Sequence, residues 1–140
     1  MKKNITRTIS LMLMLTLCVS TMIIPAAARS SLYIDSRYAS ATSIGGGKIT
    51  VAFDITATAK MTTIGATKIE VKNSSGKTLR TYNSTDTGYE YMMGSNRIVH
   101  SNSVTYQGVS GNSYYAVVYF KAGNSSGSDT ATYTTLLETA

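Results

Sequence analysis

The chain of 140 residues carries 13 Lys and Arg against seven Asp and Glu, a formal charge of +6, with one Cys, one His and no Trp. A lone Cys excludes a disulfide framework within the chain, and one His beside it leaves too few ligands for a zinc site of the usual spacing. The cations are scattered rather than clustered, which argues against nucleic acid or an anionic membrane as partners.

The first element reads as an export leader. "MKKNITRT" is a basic opening with Lys2, Lys3 and Arg7, followed by the apolar block "ISLMLMLTLCVSTMII", Pro25 and "AAA". Small residues stand one and three before a cut after Ala28, as signal peptidase requires. The apolar block is shorter than the roughly 20 residues of a spanning helix. Residues 1–28 are therefore expected to be a cleaved signal peptide, and residues 29–140 a secreted, extracellular domain with no membrane association. Leu17 stands where a lipoprotein signal needs a small residue before Cys18, so lipid attachment is not expected. The leader takes the only Cys and three basic residues with it, leaving ten bases against seven acids, a charge of +3. Without a disulfide the domain must be held by its core, which suggests a bacterial exported protein.

Beyond the leader, helical periodicity is absent and alternation repeats. Val, Ile, Thr and Tyr fill the runs while Gly, Ser and Asn separate them, the signature of an all-β domain. "SLYIDSRYASATSI" is the first candidate strand, closed by Gly45, Gly46 and Gly47, with no clear inward face. "KITVAFDIT" is the clearest, with Ile49, Val51, Phe53 and Ile55 on one face and Lys48, Thr50, Asp54 and Thr56 on the other. "ATKIEVKN" turns Ile69 and Val71 inward and Lys68, Glu70 and Lys72 outward, and "SSGK" makes a hairpin turn into "TLRTYN". "STDTGYEYMMGSN" is irregular, and extended structure resumes in "RIVHSNSVTYQG" around Val104 and Tyr106. "SYYAVVYFKA" is a central strand with Tyr114, Ala116, Val118, Phe120 and Ala122 inward and Tyr115, Val117, Tyr119 and Lys121 on the opposite face. After "GNSSGS", "DTATYTTLLET" returns as an edge strand. Six or seven strands at this spacing predict a single β-sandwich.

Two resemblances add to this reading. "VTYQGVSGNSYYAVVYFKAGNSSGSDTATYTT" resembles the last three strands of immunoglobulin-like and fibronectin type III domains: Val109 precedes a turn, Tyr114 or Tyr115 opens the next strand, and Ala122, Asn124 and Gly127 close it. The resemblance implies a tyrosine corner, in which the phenol bonds back to the main chain. Gly111 stands where the family has Pro, and the core Trp is missing, its volume partly filled by Phe53. The chain as a whole resembles an uncharacterised family of small secreted Gram-positive bacterial proteins, through its leader, "GGGKITVAFDITATAKMTTIGATKIEV", "MMGSN" and "SVTYQGVSGNSYYAVVYFKA". That resemblance implies a leader plus one β domain and carries no chemistry.

No catalytic constellation is visible. The only His, His100, lies in a strand pattern, no nucleophile-elbow sequence surrounds a Ser, and the seven acids are scattered, so no enzyme activity, metal or cofactor is expected. "GGG" at 45–47 lacks the Lys and hydroxyl residue of a phosphate loop. One stretch stands out: Tyr89, Tyr91, Met92 and Met93 concentrate in a loop, flanked by Arg97 and Tyr82, where Tyr supplies contact area and Met adapts its shape. The competing reading is that this segment caps the core. These features predict a small monomeric, non-catalytic binding module whose ligand is an envelope glycan or an extracellular protein. The alternatives are a self-assembling structural protein, since the run between Asp129 and Glu138 is an uncharged edge, and an inhibitor of an extracellular enzyme acting through loop 84–96.

Overall fold

A computed structural model describes residues 31–140; the expected leader, its cut after Ala28 and Cys18 lie outside the described residues. The alternation in "KITVAFDIT" is realised over a longer span as a strand, Lys48–Met61, with Ile49, Val51, Phe53 and Ile55 buried as expected. Numbering in chain order, the strands are β1 (Ile34–Gly45), β2 (Lys48–Met61), β3 (Thr63–Asn73), β4 (Thr78–Asn83), β5 (Met93–Gly94), β6 (Arg97–Gln107), β7 (Ser113–Asn124), β8 (Gly127–Thr134) and β9 (Glu138–Thr139). One sheet has the order β1-β2-β6, the other β4-β3-β7-β8, with β5 added to β3 and β9 to β7. All pairings are antiparallel. The two short strands aside, seven strands make the expected all-β sandwich.

The inner faces meet through the residues that alternation selects. Phe53 from β2 and Phe120 from β7 pack edge to face, their centroids 6.1 Å apart. Ile49, Val51 and Ile55 from one sheet and Ile69, Val71 and Val118 from the other are fully buried around them. Each such side chain contributes roughly 1.5–3 kcal/mol of apolar burial. Without Trp, the centre of the core rests on these two phenylalanines.

Hairpins and corners close the layers. Between β3 and β4, Asn73 Oδ1 accepts from Lys77 N at 2.9 Å and from Ser75 Oγ at 2.8 Å, while Gly76 takes a positive φ of 86°. Between β6 and β7, Tyr114 is the corner tyrosine and Tyr115 lies half-buried on the other face. The Tyr114 hydroxyl accepts from Val109 N at 2.8 Å and donates to Val109 O at 3.4 Å. Gly108 is required beneath it, because a Cβ there would stand 2.7 Å from the Tyr114 ring.

The expected first strand forms as β1, and its inward face, left open by the sequence, is Ile34 and Ala39, an odd separation made possible by a bulge between Ile34 and Ser36. Two strands depart from the sequence reading. β6 is extended from Arg97 rather than from about Val104, because its ladder with β2 continues to His100↔Ile55 and Val99↔Thr56. The expected strand "DTATYTTLLET" is two pieces. Buried Thr135 breaks it: Thr135 Oγ1 accepts from Ala116 N at 3.0 Å and donates to Leu136 O at 3.0 Å. Leu136 and Leu137 then turn outward, and the chain rejoins β7 as β9.

The uncharged edge of β8 is met by β1 and the residues before it at two points. Arg37 Nε from β1 donates to Thr132 O at 3.1 Å, and Asp129 accepts from Ser31 Oγ at 2.7 Å and Tyr33 N at 3.0 Å. These bonds hold the carboxyl of Asp129 below its ordinary value, Ser31 contributing most.

Candidate functional site

Residues 84–96 carry the chain from β4 in one sheet to β6 in the other. Asp86 N donates to Asn83 O at 3.0 Å, a β-turn, while Asp86 Oδ2 accepts from Asn83 N at 3.3 Å and Asn83 Nδ2 at 3.1 Å, and Gly88 follows with φ 88°. A single 3-10 turn, Glu90–Met92, leads into β5, which pairs with Ile64 and Gly65 of β3. That approach is possible only because residue 65 is Gly. A Cβ there would collide with the Met92 carbonyl and stand 2.9 Å from Met93 Cα.

The five residues expected to form a binding surface are divided by this geometry. Met92 is fully buried and belongs to the core, at the end of the 3-10 turn and just before Met93 pairs with Gly65. Met93 and Tyr89 are half-buried, while Tyr91, at 41 % exposure, and Arg97 face solvent. Tyr82, Tyr89 and Tyr91 form a continuous aromatic chain, with centroid separations of 5.1 and 6.2 Å, and the Arg80 guanidinium lies 5.4 Å over the Tyr82 ring. Burial pushes the phenols of Tyr82 and Tyr91 up from their ordinary value, with neighbouring Tyr89 adding to both. Tyr82 is the fixed end of the chain, its hydroxyl donating to Thr105 O at 3.0 Å.

His100 anchors the outer end. Its Nε2 bonds Tyr91 O at 2.9 Å and its Nδ1 bonds Arg97 Nη1 at 3.2 Å. A guanidinium only donates and a carbonyl only accepts, so Nδ1 is the acceptor and the ring carries its proton on Nε2. Asn102 Nδ2 donates to the same Tyr91 carbonyl at 3.2 Å. His100 is thus a buried strand residue whose nitrogens both have structural partners, and its ring packs 6.0 Å from Phe53.

Sequence reasoning missed two further surfaces, because both depend on which strands become neighbours. On the outer face of the larger sheet, register places Lys68, Tyr119 and Thr132 in one row. Glu70 Oε1 accepts from Lys68 Nζ at 2.8 Å, while its Oε2 lies 3.2 Å from both Lys72 Nζ and the Tyr119 hydroxyl. Lys68 Nζ stands 3.9 Å over the Tyr119 ring. A concavity of about 440 Å³ adjoins this row, lined by Thr67, Tyr119, Thr130 and Thr132. Elsewhere, Tyr38 and Tyr133 stack edge to face at 5.5 Å beside a groove of about 420 Å³ that Leu136 and Leu137 also line. The signals available were the outward half of each alternation and the pair "LL", neither of which identifies its neighbours.

Among the described residues, no group of three or more His, Cys, Asp or Glu side chains is placed to hold a metal ion. Comparison with family models, with curated proteins and with solved structures gives no match.

Proposed function

We propose that this chain is a secreted, monomeric, non-catalytic binding module of immunoglobulin-like or fibronectin type III-like architecture, from a small Gram-positive family. Its ligand is an envelope glycan or an extracellular protein. The observation that carries this reading is the aromatic chain Tyr82–Tyr89–Tyr91, rooted in the core and ending at the surface, where His100 bonds both the Tyr91 carbonyl and Arg97. A ring held in place at one end offers apolar contact area with little entropy left to lose on binding. The contact residues are Tyr89, Tyr91, Met93 and Arg97, with Met92 holding them from below. The corner at Tyr114 and the sheet order support the architecture. The hydrogen bonds that occupy His100 support a non-catalytic role.

Binding of the secreted domain to a panel of glycans, cell walls and extracellular proteins tests this reading. Tyr91→Ala is expected to lower binding at least tenfold, the effect of a central aromatic anchor. Unchanged binding in both Tyr91→Ala and Tyr89→Ala ends the case for the loop.

A second reading, self-assembly, is favoured by one observation: Leu136 at 89 % exposure and Leu137 at 53 % stand beside the Tyr38–Tyr133 groove. It predicts sedimentation that changes with concentration, and recovery of a monomer in Leu136→Ser. The third alternative, an enzyme inhibitor, requires a projecting loop, whereas 84–96 is tied down by Met92 and β5.

A further inference from the structure

The outer face of the β4-β3-β7-β8 sheet is a different surface from the tyrosine chain, and its chemistry is more specific. Lys68 and Lys72 of β3 and Lys121 of β7 face outward on neighbouring strands, against the single carboxylate of Glu70. Glu70 is already satisfied by two ammonium groups and a phenol, and Lys121 has no carboxylate within ion-pair distance among the described residues. The next acid along the sheet, Asp129, is engaged with Ser31 and Tyr33 at the β1 edge. The guanidinium of Arg37 adds a further cation beside Thr132. On β3, β7 and β8 the face therefore presents a positive field with no free acid to oppose it, although Asp35 of β1 is exposed two residues before Arg37.

Its shape and polarity narrow the ligand. The concavity of about 440 Å³ falls within the range of small-ligand sites, about 300–1,000 Å³. Its walls are the exposed Thr130 and Thr132 on one side and Thr67 and Tyr119 on the other, with Phe120 and Ala131 between them. Tyr119 is pre-oriented, its hydroxyl held by Glu70 and its ring under Lys68. An apolar protein partner would find only Val117 among the outward side chains of β7. A hydroxyl-rich chain with carboxylates meets threonine hydroxyls, an aromatic edge, the unpaired ammonium of Lys121 and two ammonium groups that share the one carboxylate of Glu70. Antiparallel strands set these groups in rows about 4.8 Å apart, so the surface is a strip rather than a single pocket.

We propose that this sheet face binds a carboxylate-bearing polysaccharide, with Lys68, Lys121, Arg37, Tyr119, Thr130 and Thr132 making the contacts. The inference builds on the reading of the chain as a binding module but uses residues that reading leaves idle. Retention of the secreted domain on immobilised polygalacturonate at low ionic strength tests it, with dextran and poly-L-glutamate as comparisons. Polygalacturonate is expected to retain the protein, dextran not to, and poly-L-glutamate to do so at least tenfold more weakly. Added salt weakens the interaction, as expected for exposed charges. Thr130→Glu, at an exposed position, is expected to abolish retention, and Lys121→Ser to reduce it about three- to tenfold, as loss of one charge from a multivalent contact should. Lys48→Ser, at an exposed position of β2 in the other sheet, is expected to leave it unchanged, which ties retention to this face. No retention on polygalacturonate, equal retention on poly-L-glutamate, or wild-type behaviour of both Thr130→Glu and Lys121→Ser overturns the proposal.

Discussion

Gly65 and Tyr114 show how much one residue can fix. Gly65 lies inside β3, two residues from its start, where a glycine ordinarily weakens a strand, and it is there because the Met92 carbonyl passes where its side chain would be. Gly65→Ala is expected to displace β5 and cost at least about 1–3 kcal/mol, the range for an overpacked site, measured by urea unfolding. Tyr114 has the opposite character, since its pattern was visible in advance. The residues before it, Val109 included, and the apolar alternation after it marked a corner, although position 114 or 115 fitted equally well. The register of β7 settles the matter by turning 114 inward against Gly108. Tyr114→Phe is expected to lose about 0.5–1.5 kcal/mol with its hydrogen bond, and Tyr115→Phe almost nothing. A stability change of equal size in both variants would contradict this assignment.

Strands whose two faces differ were legible, and strands that depend on a neighbour were not. β2 and β7 could be read residue by residue because burial on one side alone imposes a period of two. The crossing from β4 to β6 could not, because Tyr89, Tyr91, Met92 and Met93 suit either a surface or a core cap. The structure uses them as both. Met92→Ala is therefore expected to destabilise the domain by about 2–5 kcal/mol, and Tyr91→Ala by no more than about 0.5 kcal/mol. Thermal melts of the two variants distinguish them, and equal effects would mean that the crossing has a different register. The tail beyond β8 was misread for a similar reason. "TATYTTLLET" alternates poorly but has no Gly or Pro to break it, so nothing local reveals that Thr135 is buried. Its two hydrogen bonds to main-chain groups have no signature in the sequence.

At the scale of the whole domain, one core and two sheets share the stability, and the charges modulate it. The hydrogen bond from Lys68, followed by that from Lys72, holds the Glu70 carboxyl below its ordinary value of 4.5, and Lys68 is correspondingly raised above 10.5. A depressed folded value means that the unfolded chain takes up the proton first. The contribution of Glu70 is complete above pH 4.5 and disappears as the pH falls through its lower folded value; that of Lys68 disappears as the pH rises above 10.5. Acid titration of unfolding in Glu70→Gln is expected to give a shallower decline as the pH falls below 4.5 than wild type. A decline unchanged by that substitution would place the acid sensitivity elsewhere.

The ends of the described chain are also held, at opposite ends of the sandwich. Ser31 is clasped by Asp129 near the β7–β8 turn, whereas Ala140 bonds Gly111 and Asn112 at the corner before β7. A pull applied between those two points runs along the strands. Force would load the β1–β2 ladder in shear, so that its hydrogen bonds must fail together rather than open one after another. The Asp129 clasp, which meets a sheet edge at rest, is then the first latch under tension. Single-molecule extension from residues 31 and 140 should show a higher rupture force than extension between residues 31 and 61, which peels the β1–β2 hairpin from one end.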